Sequence, residues 1–354
     1  ARHRTASCID PSADTARVQS DGTTQSGYQP HIGNDAIMQF AELPLVATPI
    51  SVVDENLVKE GIQRCSAELK LSDITLIRQS MNGVYQATAP DGPVIMRVSR
   101  PTGTTLPAIE FAHYLQNFGF EVPAPISHTP FRHDEIEITL WEFIEPDFEE
   151  PVNWQTIGTF VRHLHDIDPE TIAKFYPIPK ATSFPWWNFD QLLEELRPTF
   201  VHDDHAILSE RWQSLRPYLT DAQNCDVESS TSHATLCHGD IHPGNVIVNR
   251  STGRPVLLDW DLLSVAPREW DHAALLTWAS RWGGDATTYP EFALGYGSDF
   301  SSIDLATALA ELRLLSATLM RWRAGLTSQP ARAEAENRMK CWRQDPSAPM
   351  WQAV

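Results

Sequence analysis

The 354 residues exceed a single ordinary domain, and because 42% of them are hydrophobic the chain can bury a sizeable core, so we expect two lobes. An excess of 46 acidic over 27 basic residues gives a net charge of −19, which argues against non-specific binding to nucleic acid or anionic membranes. Five scattered cysteines without a CxxC pair, no apolar run of membrane-spanning length and no apolar signal-peptide core predict a reduced, cytoplasmic protein.

The chain begins with a predicted leader that is followed by a small β-rich region. Residues 1–39 are rich in Ser, Thr, Asp, Gly and Gln, the composition of a disordered segment. Asp54 can cap a helical pattern that runs to Leu71. Hairpin turn signals then separate three predicted strands, which are Ile74–Gln79, Val84–Ala89 and Pro93–Ser99.

The third of these strands carries a cation that the sheet would partly bury. The alternating apolar residues from Val94 to Val98 share one face, which places Arg97 on the other. The next predicted helix, about Leu106 to Phe118, carries Glu110 on its flank. Arg97 and Glu110 could therefore pair, either within a functional site or as a surface ion pair of little energetic consequence.

A strand over Glu135–Ile144 runs into an acidic, proline-bounded segment, Glu145 to Pro151, which we predict to be a hinge between the lobes. Helical periodicity dominates beyond it, including one helix over about Glu269 to Trp282, and β structure interrupts it only centrally. The sequence therefore predicts an α+β fold, with an N-lobe over residues 40–145 and a larger, mainly helical C-lobe over residues 146–354.

The most informative stretch is LCHGDIHPGNVIVNRSTGRPVLLDWD, from Leu236 to Asp261. Apolar runs alternate with a polar loop and a glycine turn, which predicts strand, loop, strand, turn and strand. Two tight β elements would bring Asp240, Asn245 and Asp259 to one edge. Carboxylates and an amide crowded in this way are costly unless a cation or a substrate proton lies between them, which favours chemistry over a calcium-binding or purely structural loop.

The order of elements and this stretch resemble the aminoglycoside phosphotransferase and choline kinase-like family of small-molecule kinases. The resemblance rests on HGDIHPGN at His238–Asn245, LDWD at Leu258–Asp261 and PREWD at Pro267–Asp271, and it extends loosely over Ile74 to Leu326. It implies a two-lobed protein-kinase-like fold. It also implies transfer of the γ-phosphoryl group of ATP or GTP to a hydroxyl of a small molecule.

The resemblance implies roles for the three clustered polar residues. Asp240 matches the catalytic base, which orients and deprotonates the acceptor hydroxyl. Asn245 and Asp259 match the family's ligands of Mg²⁺, and their oxygen atoms suit that ion.

Five further residues around this cluster have two possible roles each. His238 and His242 either brace the loop through hydrogen bonds or touch the substrate. Asp261 either supports the metal indirectly or caps the segment that follows. Glu269 and Asp271 open a predicted helix, so for them capping and favourable interaction with the helix dipole are the preferred interpretation.

On the nucleotide side, Arg97 takes the position of the family's phosphate-gripping lysine, with Glu110 as its helix partner. A guanidinium can bind phosphate through two parallel hydrogen bonds, so the substitution preserves the role. The turn Ser80-Met81-Asn82-Gly83 would lie over the phosphates, although it holds a single glycine. Backbone groups of Trp141–Ile144 would contact the purine base of the nucleotide.

The acceptor is less constrained by the sequence. An acidic, tryptophan-rich C-lobe favours a cationic acceptor such as an aminoglycoside or an amino alcohol. By elimination, its binding residues fall within about Asn188 to Tyr218 and Ser302 to Arg343. The oligomeric state stays open.

Two other classes of function compete with the kinase. In the first, His238, Asp240 and His242 form the metal site of a hydrolase, which would purify with zinc or iron where a kinase needs added magnesium. In the second, the kinase-like fold is a non-catalytic binding module, which nucleotide turnover would exclude.

Overall fold

The computed structural model describes residues 49–50, 53–79, 81–201, 203–225 and 233–352. The predicted leader and Ser80 lie outside these residues. Helix α1, Glu55–Leu69, begins as predicted, because the Asp54 side chain accepts a hydrogen bond from the Asn56 backbone N–H at 2.7 Å. It ends at Lys70, whose left-handed backbone (φ 56°) cannot continue the helix.

A five-stranded antiparallel sheet follows α1 in the chain, in the strand order β1-β2-β3-β5-β4. The strands are β1 (Ser72–Gln79), β2 (Gly83–Ala89), β3 (Gly92–Ser99), β4 (Phe131–His133) and β5 (Ile136–Glu142). The three predicted strands that follow α1 are confirmed as β1, β2 and β3. The alternation in β3 is confirmed as well, because Val94, Met96 and Val98 are buried and Arg97 alternates with them.

Helix α1 covers the face of the sheet that carries these apolar side chains. Cys65 belongs to the same buried cluster as Met96 and Ile138. Gly61 permits the close approach, since a Cβ there would lie 2.1 Å from Ile136 Cδ1. Residues of the other face, Arg97 among them, line a cleft together with helix α2, Thr105–Asn117.

The predicted hinge segment after β5 is bonded to a β-hairpin of the helical part. The Asp147 N–H donates to the Val248 carbonyl oxygen at 2.8 Å, and the Arg250 N–H donates to the Glu145 carbonyl oxygen at 2.9 Å. Both contacts lie where the first strand of the hairpin enters its turn, at residues 248–250. Its action as a hinge, and the lobe boundary between residues 145 and 146, stay predictions.

Helices make up most of the remaining chain. They are α3 (Trp154–His165), α4 (Pro169–Ala173), α5 (Phe189–Leu196), α6 (Asp204–Gln223), α7 (Glu269–Leu276), α8 (Trp278–Trp282), α9 (Thr288–Tyr296), α10 (Asp304–Ala324) and α11 (Gln329–Trp342). The largest apolar core joins α5, α6, α7, α10 and α11. Helices α3 and α9 approach closely at Gly158 and Gly295, where a Cβ would lie within 2.0 Å of a backbone oxygen.

The predicted α+β class, a small β-rich part and a larger mainly helical part, is confirmed. One predicted helix was wrong in its length: the pattern from Glu269 to Trp282 forms two helices, because the backbone departs from helical geometry at Thr277 (φ −105°, ψ 0°). In the part of the chain that the structure describes, no helix is both long and apolar enough to cross a membrane.

Two short antiparallel ladders frame the polar loops. Strand β6 (Ala234–Cys237) pairs with β9 (Ser264–Pro267), and β7 (Val246–Val248) pairs with β8 (Pro255–Leu257). The predicted succession of strand, loop, strand, turn and strand is therefore confirmed, with β6 pairing to a later strand that was not predicted. Both ladders end near the cleft, which residues 244–245 and 258–262 line.

Candidate active site

The polar loop from His238 to Asn245 leaves β6 and enters β7 beside the cleft. Gly239 has a φ of +89°, and a Cβ there would lie 2.4 Å from the Leu262 carbonyl oxygen, so this position requires glycine. A short 3₁₀ turn, Pro243–Asn245, ends the loop. Gly239 and the 3₁₀ turn therefore fix the backbone path of the loop.

The His238 ring is fully buried and braces this loop. Its Nδ1 accepts a hydrogen bond from the Asp240 backbone N–H at 3.2 Å, and its Nε2 donates to the Leu258 carbonyl oxygen at 3.0 Å. Burial lowers the pKa of His238, so the ring is neutral and carries its proton on Nε2. Both ring nitrogens are used within the protein, which leaves no lone pair for the metal of a hydrolase.

Asp271 of α7 fixes the backbone of the same loop. Its carboxylate accepts hydrogen bonds from the His238 N–H at 2.9 Å and the Gly239 N–H at 2.7 Å. His165 Nε2 lies 3.0 Å from it, while His165 Nδ1 contacts the Tyr296 hydroxyl at 2.9 Å. Burial raises the pKa of Asp271, but the hydrogen bond and charge of His165 outweigh it and the net shift is downward. Asp271 is therefore not the helix cap that was predicted, because its oxygens accept hydrogen bonds from another segment. It does lie in the first turn of α7, where a carboxylate interacts favourably with the helix dipole.

The Asp240 carboxylate lies at the centre of the loop. Asn245 Nδ2 donates to the Asp240 carbonyl oxygen at 2.9 Å and to its Oδ2 at 3.3 Å. His242 Nε2 lies 3.5 Å from the same Oδ2, and Arg313 of α10 donates to Oδ1. Burial raises the pKa of Asp240, but the hydrogen bond from His242 and the charge of Arg313 hold it well below its usual range, so the group stays ionised.

A second acidic pair follows β8 and contacts the sheet across the cleft. Arg78 at the end of β1 donates to Asp259 Oδ2 at 2.9 Å. Asp261 Oδ2 accepts hydrogen bonds from Asn82 Nδ2 at 2.8 Å and from Arg97. These contacts bring the predicted nucleotide residues Asn82 and Arg97 to the predicted metal-site segment.

The electrostatics at this edge favour a cation. Burial, and next the charge of Asp261, raise the pKa of Asp259, so a positive ion there would relieve an unfavourable negative charge. The Asp259 carboxylate and the amide oxygen of Asn245 are hard donors of the kind Mg²⁺ prefers. The Asn245 Nδ2 is committed to Asp240, which is consistent with the amide oxygen serving as the ligand atom. The donor set fits magnesium.

A cleft of about 480 Å³ lies between the sheet and these loops. The segment Trp141–Ile144, which is predicted to contact the purine base of the nucleotide, lines this cleft, as do Asn82 and Arg97. Gly83 begins β2, and Glu110 is buried in α2 with 6% exposure. The pairing of Glu110 with Arg97 stays a prediction. Apolar side chains complete the lining, including Val84, Ile95, Ala112, Phe143, Ile247 and Leu258.

Two residues of this site were missed by reasoning from the sequence. Arg78 carried a weak signal, because it lies two residues before the turn expected over the phosphates. Arg313 carried none, since it lies 73 residues beyond Asp240 in the middle of a long helix and reaches the loop only through the tertiary fold.

A β-sheet joined to a larger helical part, with an acidic loop facing the cleft between them, defines a kinase-like phosphotransferase. Residues 73–315 match the family described as "Phosphotransferase enzyme family" (APH). The chain belongs to this family, as predicted, and is a small-molecule kinase that acts on hydroxyl groups. A comparison with curated protein sequences gives no match.

Solved structures of aminoglycoside phosphotransferases share the fold. The spectinomycin phosphotransferase APH(9)-Ia, in complex with ADP and spectinomycin, is 17% identical over 80% of this chain and 93% of its own, with a TM-score of 0.56. APH(2'')-IIia, with GDP and kanamycin, is 14% identical over 81% of this chain and 98% of its own, with a TM-score of 0.58. APH(3'')-Id from Streptomyces rimosus is 18% identical over 75% and 99%, with a TM-score of 0.53.

Proposed function

We propose that the protein transfers the γ-phosphoryl group of ATP or GTP to a hydroxyl of a small molecule, with Asp240 as the base. The observation that supports the proposal is that Asn245, whose amide is hydrogen-bonded to Asp240, lines the cleft together with Asp259. Phosphoryl transfer needs these parts together, because the base, the metal and the phosphates must lie within a few ångströms of one another.

Asp240 would act on the acceptor while the other residues act on the nucleotide. The acceptor hydroxyl gives its proton to the Asp240 carboxylate as its oxygen forms a bond to the γ-phosphorus. The bond from that phosphorus to the β–γ bridging oxygen breaks, and the products are a phosphate ester and the nucleoside diphosphate. The lowered pKa of Asp240 keeps it ionised near neutral pH, which suits this step because a protonated carboxyl could not accept the hydroxyl proton.

Asn245 and Asp259 would hold Mg²⁺, which when bound neutralises charge on the nucleotide phosphates. Arg97 would grip a phosphate in place of the usual lysine, and its contact with Asp261 keeps it pointed at the metal-site segment. Asn82 reaches the same carboxylate from the turn that precedes β2. Gly83, the first residue of β2, and Ser80, which lies outside the described residues, are the other two predicted contacts to the phosphates.

The ligands named for the related structures support a nucleotide and a small-molecule acceptor. The spectinomycin phosphotransferase is in complex with ADP and spectinomycin, and APH(2'')-IIia with GDP and kanamycin. The identity of the acceptor here, the choice between ATP and GTP, and the cytoplasmic location are proposals from the sequence. The composition favours a cationic acceptor, whereas Arg313 places a positive charge beside Asp240.

The test is a screen of hydroxyl compounds with ATP or GTP and magnesium, read as a mass gain of one phosphoryl group. We expect at least one compound to be phosphorylated, and the turnover to require added magnesium. Turnover of nucleotide by the parent protein but not by Asp240→Asn would separate the enzyme from a non-catalytic module. Tightly bound zinc or iron that supports hydrolysis without magnesium would contradict the proposal in favour of the hydrolase.

A further inference from the structure

Arg313 places a positive charge beside the proposed base. Its guanidinium donates to Asp240 Oδ1 and, at 2.8 Å, to the Gly239 carbonyl oxygen. Helix α10 holds it in position, because the neighbouring Leu312 and Leu315 are completely buried in the core. The Arg313 side chain is 18% exposed, so its charge is largely removed from water but still reachable by a ligand.

This guanidinium has hydrogen-bond donors to spare. Among the contacts of the described residues, two of its five N–H groups donate to oxygen atoms of the loop. The phosphate side of the cleft has cations of its own, since Arg78 and Arg97 contact Asp259 and Asp261. Arg313 contacts the base that must receive the acceptor's proton, so its spare donors are available to the acceptor.

The carboxylates of the site offer little to a polycation. Each of the four has a cationic or imidazole partner within the described part of the chain. The pairs are Asp240 with Arg313, Asp259 with Arg78, Asp261 with Arg97, and Asp271 with His165. A polycationic acceptor would need unpaired carboxylates and would meet Arg313 at the reacting hydroxyl, where like charges repel.

A row of aromatic rings leads away from the proposed base. The His242 ring lies at 19° to the Trp278 ring with centroids 6.0 Å apart, and Trp278 lies at 18° to Trp282 with centroids 6.1 Å apart. All three rings are half-buried, and the Arg338 guanidinium lies 5.0 Å from the Trp282 ring. This row begins 3.5 Å from Asp240, at His242 Nε2, and its rings pack on one another.

We propose, on the basis of the phosphotransferase function above, that the acceptor carries an anionic group near its reacting hydroxyl, a carboxylate or a phosphate, and that Arg313 binds this group. In the protein without acceptor, Arg313 occupies Asp240 Oδ1. The acceptor's anion takes over those donors, and Oδ1 becomes free to receive the hydroxyl proton. Arg313 thereby selects the acceptor and couples its binding to release of the base.

The first experiment compares hydroxyl compounds in charge-matched sets on common ring and chain skeletons. Each set contains a carboxylate, a phosphate, an uncharged amide and an amine, and aminoglycosides are added as polycations. With ATP or GTP and magnesium, we expect kcat/KM to be highest for an anionic member, and the carboxylate and phosphate arms identify which anion is preferred. Highest activity with amines or aminoglycosides, or no turnover of any anionic member, overturns the inference.

The second experiment repeats the best set with Arg313→Gln, Arg313→Lys and the control Arg323→Gln. Arg323 lies on the same helix and pairs with Glu195 at the surface. For Arg313→Gln we expect kcat/KM to fall by about 100-fold for the anionic member and much less for its amide, with partial recovery in Arg313→Lys. Arg323→Gln should preserve the preference of the parent.

The test is the ratio of kcat/KM for the anionic compound to kcat/KM for its amide, compared between Arg313→Gln and the parent. If Arg313→Gln slows the anionic compound and its amide by the same factor, Arg313 acts on the base or on the transferred group, and the specificity inference is wrong. Affinity for magnesium nucleotide, measured by calorimetry, should match the parent in every variant. Failure of the proposed function would look different, because no hydroxyl compound of any charge would then be phosphorylated.

Discussion

Asp240 depends on its neighbours for both its position and its charge. Its carboxylate contacts Asn245, His242 and Arg313, so it is held on two sides and kept ionised. Asp240→Asn keeps the size of the side chain but removes the charge that accepts the proton. We expect kcat to fall by about 10²- to 10⁴-fold, the usual contribution of a general base.

The matching measurement is calorimetry with magnesium nucleotide on the same variant. Affinity should barely change, because magnesium is assigned to Asn245 and Asp259. A large loss of affinity with a small loss of kcat would instead make Asp240 a metal ligand.

Asp259 combines a metal-binding role with an unusual backbone. Its φ of +65° and ψ of 69° lie in the left-handed region, which Asn tolerates better than Ala. Asp259→Asn is therefore the cleaner variant, because it removes the charge without adding backbone strain. We expect turnover to fall by at least about 100-fold and the magnesium concentration for half-maximal activity to rise.

The control is Asp285→Asn, an exposed carboxylate in the loop before α9. This variant should keep the parent's turnover and the parent's magnesium concentration for half-maximal activity. Near-normal activity of Asp259→Asn at the usual magnesium concentration would place the metal elsewhere.

The residues that the sequence could identify are those whose partners are close along the chain. Asp240 and Asn245 lie in one loop and are hydrogen-bonded to each other, and Asp259, which follows the next hairpin, lines the cleft together with Asn245. The contacts of Arg313 and Arg78 could not be predicted, because they join segments 73 and 181 residues apart. Their positions depend on how helices and sheet pack, which local patterns do not encode.

At the scale of elements, α7 supports the catalytic loop through one buried carboxylate. Asp271 accepts hydrogen bonds from two buried backbone N–H groups, those of His238 and Gly239. Asp271→Ala would leave both unsatisfied, at about 1–3 kcal/mol for each buried group. We expect a large loss of stability in urea unfolding together with a fall in kcat, whereas Asp271→Asn should retain part of both because it keeps one acceptor oxygen.

Glu210, an exposed carboxylate in the interior of α6, provides the control. Glu210→Gln should change stability by less than about 0.5 kcal/mol, as surface substitutions usually do. If Asp271→Ala were as stable and active as the parent, the loop would not depend on this helix.

The boundaries of elements followed the sequence where capping and alternation act locally. Asp54 caps α1, and the pattern of β3 fixed which side chains face the core. The break between α7 and α8 at Thr277 has no proline, glycine or cap to announce it. It sets α8 apart as a separate element, which carries Trp278 next to His242, so tertiary packing overrode the helical periodicity.

At the scale of the whole molecule, contacts across the cleft tie the sheet to the helical part through charge. Arg78 and Arg97 reach Asp259 and Asp261 from strands of the sheet. These pairs use the groups that are assigned to phosphate and metal, so nucleotide and magnesium must compete with them. The fold class could be predicted because the small β-rich part and the helical part differ in periodicity, but this use of the site's own charges could not.

Stability of the whole fold should depend on pH through His272. The ring is completely buried among Phe292, Tyr296 and Phe300, and its Nε2 has no hydrogen-bond partner within the described residues. Burial, and next the charge of His165, lower the pKa of His272 to about 3. An unfolded histidine has a pKa of about 6.5, so between these two values the unfolded chain binds a proton that the native protein does not.

The native state should therefore lose stability as pH falls below about 6.5, by up to about 1.4 kcal/mol per pH unit from this group alone. His272→Phe keeps the aromatic packing and removes the titration, so its free energy of unfolding in urea should fall less between pH 7 and pH 4.5 than that of the parent. His163→Phe, at an exposed position of α3, serves as the control and should retain the parent's pH dependence. If His272→Phe and the parent lose stability in parallel over this range, the buried neutral imidazole is not what makes the fold sensitive to acid.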